Sequence, residues 1–181
     1  GLAAALLDAI LTYAEGIGLT SMQLEVLQNN HKAYRTYESD GFETTRRVVT
    51  LTCPIDFTNV PMEGTSLREW RNGPPHSEKV VWQRELPWAA QDGGKILVSA
   101  KGWIRFRPDG RNLALLDGAT ADRAILQDML GDLRHRYPQL TLSMRNEVVG
   151  STWYRELTGL DWPESLAQLE MRVDLDAPGG D

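Results

Sequence analysis

One stretch of nineteen residues, Leu24 to Phe42, restricts the fold of this chain more than any other part of the sequence. In its first residues, apolar Leu24 and Val26 alternate with polar neighbours, as in a strand with one buried face. Asn29 and Asn30 then stop the strand, and asparagine is a favourable N-cap for a helix. The stretch therefore predicts a strand, a short turn and a helix that begins near Asn30.

The predicted helix has one face with a regular composition. Its spacing aligns Asn30, Ala33 and Tyr37 along the helix, with Tyr34 beside them. Four residues after Tyr37 comes a glycine that predicts the helix end, and the next residue, Phe42, is the apolar contact that often accompanies such an end. Spacing alone leaves open whether this face is core or binds a ligand.

Another helix is predicted at the start of the chain, from Gly1 to about Glu15. Gly16 and Gly18 are expected to end it. Apolar side chains recur at helical spacing and predict one buried stripe. The stripe consists of Leu2, Leu6, Ala9, Ile10, Tyr13 and Ile17. The segment has no basic start and Asp8 interrupts it, so it is predicted to be a helix and not a signal peptide.

The middle of the chain alternates between strand and connector patterns. Residues Glu43 to Cys53 predict a strand, and a connector with several prolines follows over residues 54–79, with a short helix around Ser66 to Asn72. In residues 80–90, two tryptophans are expected to pack onto a neighbour. Three short strands follow, and a Pro-Asp-Gly turn predicts that the last two form a hairpin. They are Lys95 to Ser99, Gly102 to Arg107 and Asn112 to Asp117.

The remainder predicts helix, strand, helix and strand. Thr120 is a possible cap for a helix that ends before Pro138. The later elements are a strand over Leu140 to Met144, a helix from Asn146 to about Thr158, and a strand over Leu166 to Leu175. Residues 177–181 predict a disordered tail.

Charge and composition exclude several classes of function. The net charge is −6 and no long basic run occurs, which argues against a nucleic-acid partner. The single cysteine, Cys53, cannot form an internal disulfide and fits a reducing compartment such as the cytoplasm. Three scattered histidines and one cysteine provide no zinc-binding spacing. No apolar run is long enough to span a membrane.

The strand and helix around Asn30 resemble the second half of the GCN5-related N-acetyltransferase (GNAT) fold. Members of that family carry the pattern N-x-x-A-x-x-x-Y-x-x-x-G-F, which is matched here by Asn30, Ala33, Tyr37, Gly41 and Phe42. The resemblance implies an α/β (α+β) fold with a mixed, largely antiparallel, twisted sheet flanked by helices.

The resemblance also implies acetyl-CoA as co-substrate and a small-molecule or peptide amine as acceptor. The opening Gly1, Leu2 and Ala3 are similar to the last three positions of the family's Q/R-x-x-G-x-G/A loop, whose N–H groups bind the pyrophosphate. Asn30 and Ala33 would contact the cofactor, and Tyr37 would protonate the leaving thiolate. We expect this chain to be a piece of a longer protein. The chain alone should then lack a complete catalytic site. Alternatively, Gly1 is a cloning remnant ahead of an ordinary helix.

The two halves of the chain predict the same order of elements. Residues 1–53 and 119–175 both run helix, strand, helix, glycine and strand. In this comparison Asn146, Tyr154, Gly159 and Leu160 fall near the places of Asn30, Tyr37, Gly41 and Phe42. We interpret the chain as a tandem GNAT with domains 1–53, a connector 54–79, and a second, degenerate copy at 80–176.

The second copy differs from the family at the cofactor loop. Asp117 and Asp122 stand where a pyrophosphate would bind, and negative charge disfavours an anionic ligand. We therefore expect the second copy to bind no acetyl-CoA and to act as scaffold or substrate wall. The strands Thr44–Cys53 and Leu166–Leu175 are expected to join the two copies, or two chains, into one sheet.

The first hypothesis for function is an acetyl-CoA-dependent N-acetyltransferase. The alternative is a catalytically inert GNAT-like module for binding or assembly. A third, weaker hypothesis is an unrelated α+β domain that binds small molecules. Two neighbours of the helix face that carries Asn30 and Tyr37 are less favoured candidates. Arg35 could contact a CoA phosphate and His31 could be a catalytic base, but both are more typical of exposed surface residues.

Overall fold

A computed structural model describes residues 1–69 and 94–175. This part of the chain contains four helices and eight strands. They are α1 (Leu2–Gly16), β1 (Ser21–Leu27), α2 (His31–Ser39), β2 (Glu43–Thr52), β3 (Ser66–Glu69), β4 (Lys95–Ser99), β5 (Gly102–Asp109), β6 (Asn112–Thr120), α3 (Arg123–Arg136), β7 (Thr141–Val148), α4 (Thr152–Thr158) and β8 (Glu164–Asp174). The strands form a mixed, mostly antiparallel sheet structure flanked by helices, so the predicted fold class is confirmed. The predicted packing of Trp82 and Trp88 and the predicted tail lie outside the described residues.

The chain divides into two compact units. The first comprises Gly1–Val48 and Leu166–Asp181, and the second comprises Val49–Ser165. The boundaries fall inside β2 and β8, so each of these strands contributes residues to both units. Within the part of the chain that the structure describes, no helix is long and apolar enough to cross a membrane.

In the first unit, β8 lies between β1 and β2. Strands β1 and β8 are antiparallel, and their register pairs Ser21 with Asp174 and Leu27 with Gln168. Alternate residues of these strands point to one face, as the period of two in the sequence predicted. They form a small core with the two helices. Its buried members are Leu7, Val26, Phe42 and Met171.

The predicted buried stripe of α1 is wrong. Leu2 and Tyr13 are 90% and 68% exposed, and Leu6, Ile10 and Ile17 are exposed as well. The buried positions are Leu7 and Ala14, which lie on another side of the helix. Apolar residues occur around most of α1, so helical spacing alone is compatible with two different buried faces. Packing against the β1–β8 core determines which of these faces is buried.

In the second unit, the strands follow the order β7-β6-β5-β4-β3. Neighbours are antiparallel except β6 and β7, which are parallel. The predicted hairpin is confirmed, and Gly110 of the predicted turn lies in the left-handed region with a φ of 61°. Pro108 and Asp109, which were predicted to be in the turn, still pair with β6. The predicted helix at Ser66 is wrong for residues 66–69, which form β3 beside β4.

Two predicted helix starts in the second unit are also wrong. Thr120 ends β6, and Asp122 caps α3 by accepting the N–H of Ile125 at 2.9 Å. Asn146 does not start a helix, because β7 continues to Val148. Helix α4 begins after Ser151, whose hydroxyl accepts the N–H of Tyr154 at 2.9 Å.

Candidate functional site

A cavity of about 410 Å³ lies between helices α1 and α2 of the first unit. We call it the α1–α2 cavity. Four lining residues come from α1 and five from α2 with its cap. They are Ala3, Leu6, Leu7 and Ile10, and Asn30, Lys32, Ala33, Thr36 and Tyr37. The cavity thus has an apolar wall on one side and a mixed wall on the other.

The α1 wall includes the first turn of that helix. Gly1 is its N-cap, and the Gly1 carbonyl accepts the N–H of Ala5 at 3.1 Å. The first N–H groups of a helix have no acceptor within the helix and carry the positive end of its dipole, so they suit an anion. Of the three predicted loop residues Gly1, Leu2 and Ala3, only Ala3 lines the cavity.

The α2 wall brings together Asn30, Ala33 and Tyr37, the three residues predicted there. The Asn30 side-chain oxygen caps α2 by accepting the Ala33 N–H at 3.2 Å. The small Ala33 side chain leaves space beside the cap. The Tyr37 ring packs edge-on against Phe42, with 5.9 Å between ring centroids. Among the residues that the structure describes, none hydrogen-bonds to the Tyr37 hydroxyl, so this hydroxyl can bind a ligand.

Sequence reasoning missed several lining residues. Lys32 and Thr36 are one turn apart on α2, and the Thr36 hydroxyl donates to the Lys32 carbonyl at 3.2 Å. Their i, i+4 spacing beside Asn30 was the signal that could have found them. Leu6 and Ile10 were predicted to be core, and they line the cavity instead. Arg35 is exposed and is not among the lining residues.

In the second unit, a tryptophan side chain packs beside the parallel strands β6 and β7. The parallel pairing of β6 and β7 ends at Leu115 and Met144, although both strands continue for several residues. Beyond that point, the Trp153 indole N–H donates to the carbonyl of Gly118 at 2.9 Å. A Cβ at Gly118 would stand 2.6 Å from Cζ2 of Trp153, so the indole ring lies directly on β6. Trp153 therefore packs where these strands are no longer paired.

The end of α4 repeats the end of α2 with different side chains. Phe42 donates its N–H to the Tyr37 carbonyl at 3.0 Å, and Trp162 donates to the Leu157 carbonyl at 3.1 Å. The residues before them, Gly41 and Asp161, both have positive φ, 86° and 60°.

Counted back from this shared turn, Leu157 stands at the position of Tyr37 and Trp162 at that of Phe42, whereas the sequence pattern placed Tyr154 and Leu160 there. At the start of the helix, Ser151 and not Asn146 is the cap, as Asn30 is in α2. Leu157 is fully buried and has no hydroxyl.

Cys53 lies beside a separate cavity of about 280 Å³ in the second unit. Burial raises the pKa of its thiol to about 11, and the neighbouring Arg134 only partly offsets this. Arg134 donates to the carbonyls of Pro54 and Ile55 at 2.8 Å each. The thiolate is the nucleophilic form of cysteine. Cys53 is therefore a protonated, unreactive side chain at neutral pH.

In the parts of the chain that the structure covers, no group of three or more His, Cys, Asp or Glu side chains could hold a metal ion. The buried carboxylates of this part serve structural contacts instead. Glu170 binds Arg46 at 2.8 Å, and Asp132 binds Arg136 at 2.9 Å.

Part of the chain matches a protein-family model. The model of the acetyltransferase (GNAT) family matches residues 1–42, a range that contains every residue lining the α1–α2 cavity. No curated protein sequence matches the chain significantly.

Solved structures give further matches, all at low sequence identity. A GCN5-related N-acetyltransferase from Sphaerobacter thermophilus aligns with a TM-score of 0.57 and 14% identity, over 89% of this chain and 61% of its own. An acetyltransferase described as putative from Pyrococcus horikoshii aligns with a TM-score of 0.57 and 12% identity, over 98% of this chain and 61% of its own.

A third match is a tandem GNAT protein from the clavulanic acid biosynthesis pathway. It aligns with a TM-score of 0.62 and 10% identity, over 98% of this chain and 70% of its own. The chain thus spans about three fifths of the first two relatives' length. At these identities the likeness shows the fold. The chain therefore has the GNAT fold, and its first 42 residues match the sequence model of that family.

Proposed function

We propose that the chain carries the cofactor-binding helix pair of an acetyl-CoA-dependent N-acetyltransferase, which transfers an acetyl group to a small-molecule or peptide amine. One observation carries the proposal. The α1–α2 cavity brings Ala3, Asn30, Ala33 and Tyr37 together within the residues that match the family model. An apolar wall beside polar groups suits the pantetheine arm of CoA.

The reaction that we propose is a direct transfer. The amine nitrogen attacks the thioester carbonyl, the carbon–sulfur bond breaks, and the CoA thiolate leaves. The Tyr37 hydroxyl gives its proton to that sulfur, and the attacking nitrogen loses a proton to a base. Tyr37 suits the role because its side chain lines the cavity and no described residue hydrogen-bonds to its hydroxyl. Of the cavity's lining residues none is a carboxylate, so the base lies elsewhere.

The second unit is proposed to bind no acetyl-CoA and to serve as scaffold or substrate wall within a tandem GNAT arrangement. Two features support this role. Trp153 occupies the region where β6 and β7 are no longer paired, and Leu157 stands in place of the acid. The net charge of −6 favours a cationic amine as acceptor. We propose the cytoplasm as location, since its reducing conditions suit the single cysteine.

A calorimetric titration with acetyl-CoA and CoA tests the proposal, and release of CoA thiol in the presence of mixed amines tests the activity. Tyr37→Phe should bind CoA like the wild type, and its turnover should be about 100-fold or more lower, as for loss of a general acid. Equal turnover of both proteins would exclude Tyr37 as the acid. The measurements should cover this chain and any longer product of the gene.

The second candidate is an inert GNAT-like module for binding or assembly. The absence of a carboxylate among the cavity's lining residues favours it, because the amine must lose a proton. Binding of CoA without thiol release, in every product of the gene and with a broad amine panel, would support this candidate. No binding of CoA in any of them would also favour an inert module.

A further inference from the structure

The cavity beside Cys53, which we call the Cys53 cavity, has a mainly apolar lining with one charged side chain. Its volume is about 280 Å³, and all of its lining residues belong to the second unit. Arg134 alone among them carries a charge, and no carboxylate lines the cavity. The neutral members are Cys53, Pro54, Ile55, Pro138, Gln139, Leu140, Thr141 and Leu142. Such a lining favours a ligand with an apolar part and a negative charge.

The guanidinium group of Arg134 is held in place without being neutralised. Its Nη1 donates to the Pro54 carbonyl and its Nη2 to the Ile55 carbonyl, both at 2.8 Å. Nη1 also lies 4.0 Å from the Cys53 Sγ. These carbonyls carry no net charge, and over residues 1–69 and 94–175 Arg134 takes part in no ion pair. The half-buried guanidinium therefore keeps its positive charge in a fixed position.

Arg134 also retains free donors. A guanidinium has five N–H groups, and in the part of the chain that the structure describes the Nε–H and one N–H of Nη2 have no acceptor. In Arg46 of this protein the same two nitrogens bind both carboxylate oxygens of Glu170, at 2.8 and 2.9 Å. Paired donors of this kind match the two oxygens of a carboxylate. Arg134 can therefore bind a carboxylate through two hydrogen bonds.

The groups around Arg134 do not compensate its charge. Burial raises the pKa of the Cys53 thiol to about 11, so the thiol is neutral at physiological pH. Asp56 lies close enough to raise that pKa further, but it is not part of the cavity lining. By contrast, Arg136 on the same helix binds the buried Asp132 at 2.9 Å. Among these two arginines, only Arg134 lacks a carboxylate partner.

We propose that the Cys53 cavity binds a small carboxylic acid with a short apolar chain, whose carboxylate pairs with Arg134. The chain of the acid would lie against Pro54, Leu140 and Leu142, which line the same cavity. Small-molecule sites usually have volumes of about 300–1,000 Å³, so this cavity suits a ligand of few atoms. The inference is independent of the proposed function, because this cavity and the α1–α2 cavity share no lining residue.

An NMR titration of the isotopically labelled chain with three probes tests the inference. The probes are hexanoate, hexanamide, which has nearly the same shape without the charge, and inorganic phosphate, which has charge without an apolar chain. Hexanoate should give saturable shifts in the backbone N–H signals of Cys53, Ile55 and residues 139–142. Hexanamide and phosphate should each bind about tenfold or more weakly than hexanoate, because each lacks one of the two interactions.

Two matched pairs of variants locate the charge effect. Arg134→Gln should bind hexanoate about tenfold more weakly than the wild type, as for loss of a partly exposed charged contact. Its control, Arg123→Gln, removes the same charge from the same helix outside the cavity lining and should bind like the wild type. Ile55→Glu should bind hexanoate about fivefold or more weakly than Ile55→Gln, because a carboxylate there compensates Arg134. Ile55 is 94% exposed, so both changes should leave the fold intact.

Several results would overturn the inference. They are the absence of saturable shifts at the Cys53 cavity with hexanoate, equal affinity for hexanoate and hexanamide, and phosphate binding as tight as hexanoate binding. Equal losses in Arg134→Gln and Arg123→Gln would attribute the effect to overall charge and would also overturn it. If Arg134→Gln does not fold, the Ile55 pair decides, and equal hexanoate affinity of Ile55→Glu and Ile55→Gln would overturn the proposed pairing with Arg134.

Discussion

The ion pair between Arg46 and Glu170 supports the strands beneath the α1–α2 cavity. The guanidinium donates to both carboxylate oxygens, at 2.8 and 2.9 Å, and the Thr45 hydroxyl donates to the same carboxylate at 3.0 Å. Glu170 is 4% exposed and Arg46 is 25% exposed. The register also places Glu25 directly opposite Glu170, so Arg46 reduces repulsion between two acidic side chains.

Replacing Arg46 with alanine leaves the buried Glu170 carboxylate with the Thr45 hydroxyl as its remaining partner from this network. Breaking a buried pair from one side costs about 3–5 kcal/mol. Because water reaches a quarter of the arginine, we expect the low end, a loss of about 3 kcal/mol in the free energy of unfolding. Arg46→Ala combined with Glu170→Gln should recover part of the loss, since the second change removes the buried charge.

Arg172→Ala is the matched control. Arg172 pairs with Asp174 on the same strand, but the two side chains are 50% and 79% exposed, so its removal should cost less than about 1 kcal/mol. Urea unfolding should be followed by far-UV circular dichroism, because the first unit contains no tryptophan. Equal losses for Arg46→Ala and Arg172→Ala would show that burial does not determine the contribution of these ion pairs to stability.

Three further predictions concern single positions. Asn30→Ala should lose about 1 kcal/mol of stability with the cap, whereas Asn30→Ser should keep the cap and lose only cofactor affinity; equal stability losses in urea unfolding would contradict this. Stability should fall between pH 9 and about 11, because the unfolded Cys53 thiol ionises near its ordinary 9.0 and the folded thiol stays protonated to about 11; a wild-type slope in Cys53→Ala would contradict this assignment. Gly118→Ala should cost about 2 kcal/mol or more, because its Cβ would stand 2.6 Å from the Trp153 ring, while Gly16→Ala, with nothing within 4 Å, should not destabilise; a neutral Gly118→Ala in thermal unfolding would contradict the packing.

The sequence predicted the α2 region well because short-range interactions determine it. The cap at Asn30, the spacing to Tyr37 and the left-handed glycine at Gly41 are all local, and the structure contains each of them. The three short strands from Lys95 onward were also predicted, since alternation and a turn define them. These features need no information about distant parts of the chain.

Long-range packing decided the features that the sequence did not predict. Asn146 is a good cap residue, yet β7 runs through it in the sheet and delays the helix to Ser151. Residues 66–69 form a strand because they pair with β4. The exposed face of α1 depends on which apolar side meets the core, and spacing cannot select it.

The candidate site was predicted in part for the same reason. Asn30, Ala33 and Tyr37 follow from a local pattern, and the structure places all three in one cavity. Lys32 lies within the same pattern, but its place in the cavity depends on α1 standing opposite, which the sequence of α2 does not encode. The place of Trp153 depends on where the pairing of β6 and β7 ends.

A titration of the isotopically labelled chain with CoA, followed by NMR, tests whether the cofactor binds in the α1–α2 cavity. We expect shifts in the backbone N–H signals of residues 3–10 and 30–37, around the α1–α2 cavity, and none in helix α4. Shifts centred on Thr152–Thr158, or no shifts at saturating CoA, would contradict binding in this cavity.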